Sequence, residues 1–229
     1  MPRTLIPVLT ACALLAALIS SASCSHQERA AEATKPVQTS PPAQPKPTPM
    51  PSADSEDTTQ QISLGAGCFW CIEAIIERLP GVVGVESGYM GGSIDNPTYE
   101  QICTGRTGHA EVVKVRFDPK QMTLAQLLDW FFQAHDPTTL NQQGPDRGTQ
   151  YRSAIFYHDE KQREAAEQAK AAAAKLYSDP IVTEITAAPT FWPAEAYHQD
   201  FFANNPANPY CRAWIPPKLK KLGLTDQDK

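Results

Sequence analysis

The chain has 229 residues, with 20 Lys+Arg against 25 Asp+Glu, a formal net charge of −5 and a hydrophobic fraction of 41%. That length predicts one catalytic-size domain with additional segments, and the apolar fraction is sufficient for a folded core. The acidic balance argues against a nucleic-acid-binding protein and against electrostatic docking on anionic membranes, because both functions use basic surfaces.

The first 23 residues predict a secretory signal peptide. An apolar run from Leu5 to Ile19 follows a single basic residue, Arg3, and is too short for a comfortable transmembrane helix. Small residues then lead to Cys24, which resembles the lipidated cysteine of a bacterial lipoprotein box, although Ser21 stands where such boxes usually carry Leu. We expect export to the bacterial cell envelope, either as a lipoprotein anchored through Cys24 or as a periplasmic or secreted protein after ordinary cleavage.

Residues 24–60 predict a disordered, proline-rich tether. Prolines stand here among Thr, Ser, Gln, Ala and Lys, and almost no large apolar side chain is available to offset the entropy cost of ordering. Proline-rich segments extend as semi-rigid spacers, so this one suits a domain held away from a membrane. The folded catalytic domain is expected over residues 61–229.

From Gln61 the pattern becomes that of a folded protein. A short strand containing Ile62 and Leu64 precedes a helix with apolar residues at helical spacing, with Glu73 on the opposite face. A Pro-Gly pair at residues 80–81 ends that helix. The other predicted elements are strands at Val82–Tyr89, Ala110–Phe117, Ser153–Tyr157 and Ile181–Thr186, helices that begin at Thr123 and Asp159, and a short helix near Glu195–Phe202.

The order strand, helix, strand, strand, helix, strand predicts an α+β fold with a ferredoxin-like split β-α-β core. An additional strand, a further helix and a long irregular C-terminal tail from Pro189 complete the domain. A doubly wound sheet is disfavoured, because no full crossover helix separates residues 82–89 from residues 110–117.

Four of the six cysteines lie in the predicted domain, and Cys68 is the most informative of them. Structural disulfides are permitted in an exported chain. Cys68, however, follows a strand and a small-residue turn and opens a helix, where free backbone N–H groups and the helix dipole stabilise a thiolate. We therefore expect Cys68 to be a reachable thiolate of low pKa that acts as a nucleophile.

Residues 68–71 (Cys-Phe-Trp-Cys) formally make a Cys-x-x-Cys motif and leave three interpretations open. The first is a thioredoxin-like dithiol. The second is a zinc site completed by Cys103, Cys211 or a histidine. The third is a nucleophile with aromatic pocket walls. Zinc is the weakest interpretation, because no second closely spaced pair of cysteine or histidine ligands is present.

Residues 67–70 (Gly-Cys-Phe-Trp), followed by an acidic amphipathic helix, resemble the signature of the A-type peptide methionine sulfoxide reductases. Further blocks occur in that family's order and extend the resemblance over roughly residues 62–222. The resemblance implies an enzyme that reduces the S-epimer of methionine sulfoxide, free or in proteins, without a metal or an organic cofactor. The blocks are Gly88–Gly92, Asn96–Tyr99, Gly108–Glu111, His135–Thr138, Gly148–Ser153 and Glu195–Gln199.

The resemblance also implies a role for each polar group. Cys68 would attack the sulfoxide sulfur while Glu111 protonates the oxygen. Glu111 shares strand parity with Val113, so it should face the core, where a desolvated carboxyl group stays protonated and can act as a general acid. A surface ion pair is the alternative for Glu111. Tyr99 and Tyr151 match family tyrosines that hydrogen-bond the sulfoxide oxygen.

Three further residues complete the candidate site. Phe69 and Trp70 match the family's aromatic residues that bind the methyl group, with ordinary core packing as the alternative. Asp146 matches a family acidic position, and we rank it second to Glu111 as the proton donor.

The attack would leave Cys68 as a sulfenic acid, which a second thiol condenses to a disulfide that thioredoxin or a thioredoxin-like partner reduces. Cys71, where the family usually has Gly, lies one helical turn from Cys68. Cys211 lies in a tail rich in Pro and Asn that could swing onto the site. We favour Cys211 as the resolving thiol over Cys71, with a relay through both as a third route. Cys103 is expected to be a buried apolar residue.

Two functions of a different class remain as alternatives. A thioredoxin-like disulfide carrier of the cell envelope would lack the blocks at Gly108–Glu111 and Gly148–Tyr151. A lipid-tethered binding module for oxidised Met-rich proteins would not turn over. Loss of sulfoxide in the presence of dithiothreitol separates the three functions.

Overall fold

The computed structural model describes residues 58–225. The predicted signal peptide, the predicted lipidation residue Cys24 and most of the predicted tether lie outside these residues. None of the helices in the described range is long and apolar enough to span a membrane.

Eight strands and six α-helices make up the described domain, with two short 3-10 helices at Thr149–Tyr151 and Ala196–His198. The strands are β1 (Gln60–Ala66), β2 (Val82–Met90), β3 (Ala110–Phe117), β4 (Gln142–Gln143), β5 (Asp146–Arg147), β6 (Ser153–Tyr157), β7 (Glu184–Ala187) and β8 (Trp192–Pro193). The helices are α1 (Phe69–Ile76), α2 (Tyr99–Cys103), α3 (Leu124–Ala134), α4 (Glu160–Ala173), α5 (Phe201–Asn204) and α6 (Pro209–Lys221).

The main sheet has the order β7-β6-β1-β3-β2-β8. Its four central strands pair antiparallel in the order β6-β1-β3-β2, and β7 joins β6 in parallel. This is the split β-α-β arrangement expected from the order of elements, so the predicted α+β fold with a ferredoxin-like core is confirmed. Strands β4 and β5 form a separate two-stranded hairpin.

The core lies on both faces of the sheet. Alternate residues of β3 enter different apolar clusters: Val113 and Val115 pack with α1 in the larger cluster, whereas Ala110 and Val112 belong to the smaller one. This alternation follows from the pleat of a strand. It places Glu111, which has the parity of Val113, on the face that α1 covers.

Two helices begin with a capping box, in which a threonine side chain and a glutamine side chain cap each other's backbone N–H. Thr123 and Gln126 start α3 in this way, as predicted. Thr98 and Gln101 start α2, a helix that was not predicted from the sequence. Five residues are too few to show a hydrophobic period.

The C-terminal region is more regular than predicted, because α6 is a helix of 13 residues. The side chain of Asn208 caps it, accepting hydrogen bonds from the backbone N–H groups of Tyr210 and Cys211 at 3.0 and 3.2 Å. Pro209 occupies the first helical position, where the missing N–H costs nothing. The prolines of this segment indicated a loop, but the Asn208 cap stabilises a helix despite them. The strand predicted at 181–186 is shifted to β7.

Candidate active site

Cys68 lies in the turn between β1 and α1 and is the N-cap residue of α1. Gly67 precedes it with φ of 88°, and a Cβ atom there would lie 2.6 Å from the Cβ of Gln143. Only glycine suits such a backbone and so close an approach. The turn therefore presents the Cys68 thiol at the N-terminus of α1, beside the β4–β5 hairpin.

Glu111 lies directly behind this turn. Its side chain is fully buried, and its Oε2 accepts a hydrogen bond of 3.0 Å from the backbone N–H of Phe69. The predicted orientation of Glu111 toward the core is thereby confirmed, and the surface ion pair considered as the alternative is wrong.

Two tyrosines, Tyr99 from α2 and Tyr151 from a 3-10 helix, are buried. Tyr99 lies near enough to Tyr151, Glu111 and Cys68 to interact with them electrostatically. Burial raises the pKa of Tyr99 far above its usual range, and the charges of Glu111, Cys103, Tyr151 and Cys68 raise it further. The hydroxyl therefore remains a donor, and within residues 58–225 it has no hydrogen-bond partner.

Phe69 and Trp70 form an aromatic wall beside Cys68. The Trp70 ring stacks on Phe201 with the centroids 3.6 Å apart, and its Nε1–H donates a hydrogen bond of 3.1 Å to Nδ1 of His198. Burial lowers the pKa of His198 to about 4, so this imidazole is neutral at pH 7 and carries its hydrogen on Nε2. Trp70 is therefore held both by stacking and by a hydrogen bond.

Glu195 ties α2 to the sheet. Its Oε2 accepts a hydrogen bond of 2.9 Å from the Tyr89 hydroxyl, and its Oε1 accepts one of 2.9 Å from the backbone N–H of Tyr99. Glu195 and Tyr89 lie within two of the family blocks, and no role was predicted for either residue. These contacts show both to be positioning residues for Tyr99.

Tyr210 connects Cys71 to Asp146. The Cys71 thiol donates to the Tyr210 hydroxyl over 3.9 Å, and that hydroxyl donates to Oδ2 of Asp146 over 2.5 Å. Tyr210 also packs edge-on against Trp70. Tyr210 was missed as a site residue, since neither its position before Cys211 nor its residue type indicated a contact with Cys71.

The expected low pKa of Cys68 is wrong for this structure. Cys68 is only 2% exposed, and burial raises its pKa well above the ordinary value. A hydrogen bond with Cys71 and the negative charges of Glu111 and Asp146 act in the same direction. The same hydrogen bond lowers the pKa of Cys71, helped by the charge of Lys218. At rest Cys68 is a buried thiol, because desolvation and neighbouring acids outweigh the helix N-terminus.

The other two thiols of the described residues belong to Cys211 and Cys103. Cys211 is fully buried in α6, and burial followed by the charge of Cys71 raises its pKa to about 12. Cys103 is partly exposed at the end of α2 rather than buried as expected. None of the four cysteines of the described residues forms a disulfide, and no cluster of three metal-binding side chains occurs in that part of the chain.

Glu73, predicted on the exposed face of the first helix, is 2% exposed. Its Oε1 accepts a hydrogen bond of 3.0 Å from the Ser87 hydroxyl, and its Oε2 accepts one of 3.3 Å from the backbone N–H of Phe201. The prediction failed because β2 and the α5 segment cover both sides of α1. Glu73 thus fixes the residue that stacks on Trp70.

The family model described as peptide methionine sulfoxide reductase matches residues 60–229. Two curated relatives are named peptide methionine sulfoxide reductase MsrA. The relative from Acinetobacter baumannii strain AYE is 55% identical over 163 residues, which cover 71% of this chain and 94% of the relative. The relative from Polynucleobacter asymbioticus is 50% identical over 167 residues, which cover 72% of this chain and 88% of the relative.

Two solved structures share the fold. The crystal structure of Mxr1 from Saccharomyces cerevisiae in reduced form has a TM-score of 0.65 and 35% identity, covering 69% of this chain and 91% of that one. Methionine sulfoxide reductase A of Corynebacterium diphtheriae has a TM-score of 0.60 and 37% identity, covering 71% and 86%.

Proposed function

We propose that this site performs the chemistry of the peptide methionine sulfoxide reductase family, to which the chain belongs. It reduces the S-epimer of methionine sulfoxide, in proteins or free, to methionine. The assignment of roles is supported by three buried groups that lie near one another: the Cys68 thiol, the Glu111 carboxyl group and the Tyr99 hydroxyl.

In the first step, Cys68 attacks the sulfoxide sulfur while Glu111 protonates the oxygen. Tyr99 and Tyr151 donate hydrogen bonds to that oxygen, and Phe69 and Trp70 enclose the methyl group. The sulfur–oxygen bond breaks, methionine leaves, and the oxygen remains on Cys68 as a sulfenic acid. The sulfur of the substrate is chiral, and its methyl group, oxygen and lone pair face the aromatic pair, the hydrogen-bond donors and Cys68, respectively. Only one epimer can make all three contacts at once.

Substrate binding activates the nucleophile in this proposal. The Cys68 thiol is protonated at rest, because burial and nearby acids disfavour its thiolate. A carboxyl group in a water-free site favours its neutral form. A neutral Glu111 no longer places a negative charge beside the Cys68 thiolate, and it holds the proton that the sulfoxide oxygen receives. Hydrogen bonds that polarise the S–O bond add positive character at sulfur, which further favours the thiolate.

A second thiol then resolves the sulfenic acid, and Cys71 is now the first candidate instead of Cys211. Cys71 hydrogen-bonds to Cys68 and its pKa is lowered, whereas Cys211 is buried in a capped helix and its pKa is raised. Cys211 has Cys71 as its charged neighbour, which supports a relay from Cys68 to Cys71 to Cys211. Thioredoxin or a thioredoxin-like protein reduces the final disulfide by exchange.

The test uses purified epimers of a methionine sulfoxide peptide with dithiothreitol as reductant. We expect the S-epimer to be consumed and the R-epimer to persist, with Cys68→Ser inactive toward both because a hydroxyl is a weak nucleophile at neutral pH. Cys103→Ser is the matched control. A protein that exchanges disulfides but leaves both epimers intact would be a disulfide carrier, and the proposal would fail.

We propose further that the enzyme works in the bacterial cell envelope. The support is the apolar run from Leu5 to Ile19, Cys24 after small residues, and the proline-rich tether. Lipidation of Cys24 would anchor the domain, since two acyl chains hold a protein stably on a membrane. Fractionation of cells that make the full chain is the test. Recovery in the cytosol with residues 1–23 still attached would contradict export, and loss of membrane association in Cys24→Ala, with export intact, is expected for a lipoprotein.

A further inference from the structure

Three side chains from three separate elements form a continuous polar chain. Cys71 lies in α1, Tyr210 in α6 and Asp146 in β5. The Cys71 thiol points its S–H at the Tyr210 hydroxyl over 3.9 Å, and the Tyr210 hydroxyl points its O–H at Asp146 Oδ2 over 2.5 Å. Every hydrogen in this chain faces the same way, toward Asp146.

Water has little access to the start of this chain. Cys71 and Asp146 are each 3% exposed, and the Trp70 ring packs edge-on against Tyr210. The Asn208 cap fixes the backbone of Tyr210 through a hydrogen bond of 3.0 Å. A proton that leaves Cys71 therefore needs a protein acceptor, and the Tyr210 hydroxyl lies within hydrogen-bond distance of the Cys71 sulfur.

We propose that Tyr210 and Asp146 form a proton relay that activates Cys71 as the resolving thiol. This rests on the proposed function, since it concerns the step after methionine has left. The Tyr210 oxygen takes the Cys71 proton as its own proton moves to Asp146. Cys71 sulfur then bonds to Cys68 sulfur, and the S–O bond of the sulfenic acid breaks. The leaving hydroxide regains the proton, so one water is released and Asp146 returns to its carboxylate.

The electron balance of this step needs no further reactant. The sulfenic sulfur of Cys68 is reduced and the thiol sulfur of Cys71 is oxidised to the shared disulfide level. The ionisable groups that face Cys71 are Cys68, Lys218, Tyr210, Asp146 and Cys211. Lys218 adds a positive charge that favours the Cys71 thiolate, in the same direction as the hydrogen-bond contact with Tyr210.

The test compares two rates in a single turnover without reductant: release of methionine, and loss of the sulfenic acid as the Cys68–Cys71 disulfide forms. Tyr210→Phe removes the relay oxygen, and Asp146→Asn keeps an acceptor for the tyrosine O–H but is a poor base. We expect both to slow disulfide formation about 100-fold more than methionine release, in the range of general acid–base effects. The pH at which disulfide formation is half-maximal should rise in Tyr210→Phe.

Tyr177→Phe is the matched control, because the Tyr177 hydroxyl donates to the carbonyl of Phe132. Disulfide formation at the wild-type rate and pH midpoint in either relay variant would overturn the proposal. A merely structural role would slow the step without moving the pH midpoint, and that result would overturn it as well. If the wild type released no methionine at all, the proposed function itself would have failed.

Discussion

Oε2 of Glu111 accepts a hydrogen bond of 3.0 Å from the backbone N–H of Phe69, the residue that follows Cys68. One peptide unit thus joins Cys68, the proposed nucleophile, to Glu111, the proposed acid. The Glu111 side chain is fully buried between β3 and α1, and both elements belong to the same core. The carboxyl group of Glu111 is therefore positioned beside the turn that carries Cys68 before substrate arrives.

Glu111→Gln should lower the rate of methionine release in a single turnover by about 10²–10⁴, the usual contribution of a general acid. The amide oxygen can still accept the Phe69 N–H, so the fold should persist while the transferable proton is lost. Glu86→Gln, which removes a surface partner of Lys114, is the control. A Glu111→Gln rate within a few-fold of the wild type would move the acid role to another group.

His198→Phe should lower the free energy of unfolding by about 1–3 kcal/mol, because it leaves the buried indole N–H of Trp70 without an acceptor. His198→Asn is the matched control, since its side-chain oxygen replaces Nδ1. Urea unfolding and the KM for the substrate are the measurements. Equal stability and equal KM in the two variants would show that this hydrogen bond does not position Trp70.

The stability of the domain should fall as pH rises from 4.5 to 7 through the titration of Glu73. Burial raises its pKa from 4.5 to about 7. The folded protein then holds this proton more tightly than the unfolded chain, so the contribution is full below pH 4.5 and is lost as pH rises through 7. One pKa unit corresponds to about 1.4 kcal/mol, so the loss amounts to about 3 kcal/mol.

Urea unfolding at pH 5 and pH 8 tests this dependence. Glu73→Gln should shrink the difference in unfolding free energy between the two pH values, whereas Glu77→Gln, on the partly exposed residue beside Arg78, should leave it unchanged. An unchanged difference in Glu73→Gln would mean that Glu73 is ionised throughout.

The sequence predicted those features that depend on local pattern. Alternation along β3 predicted the inward face of Glu111, and the Thr123–Gln126 capping box predicted the start of α3. The family blocks indicated the site residues, which are far apart along the chain, and the fold brings those residues together around Cys68.

The sequence did not reveal what depends on packing between distant segments. Glu73 has a helical position typical of a surface residue, and only the covering by residues 87 and 201 buries it. The prediction for the pKa of Cys68 failed for the same reason. The helix N-terminus is visible in the local sequence, whereas the desolvation and the charge of Asp146, which both raise the pKa, come from distant segments. Tyr210 lies 139 residues from Cys71, and no periodicity links them.

The thiol relay from Cys68 to Cys71 to Cys211 predicts that each wild-type enzyme molecule releases two equivalents of methionine without reductant. A Cys71–Cys211 disulfide frees Cys68 for a second attack. Cys211→Ser should release one equivalent and stop at a Cys68–Cys71 disulfide, which peptide mapping identifies. A single equivalent from the wild type together with a Cys68–Cys211 disulfide would instead favour direct resolution by Cys211.

In the proposed mechanism, the oxygen of methionine sulfoxide passes to Cys68. The direct measurement uses the double variant Cys71→Ser, Cys211→Ser, mixed with the S-sulfoxide and a sulfenic acid trap such as dimedone, and then mapped by mass spectrometry. We expect one trapped adduct on Cys68 for each methionine released, and neither adduct nor methionine when Cys68→Ser is added. Methionine release that survives Cys68→Ser, or an adduct on Cys103 in place of Cys68, would show that the oxygen does not pass to Cys68.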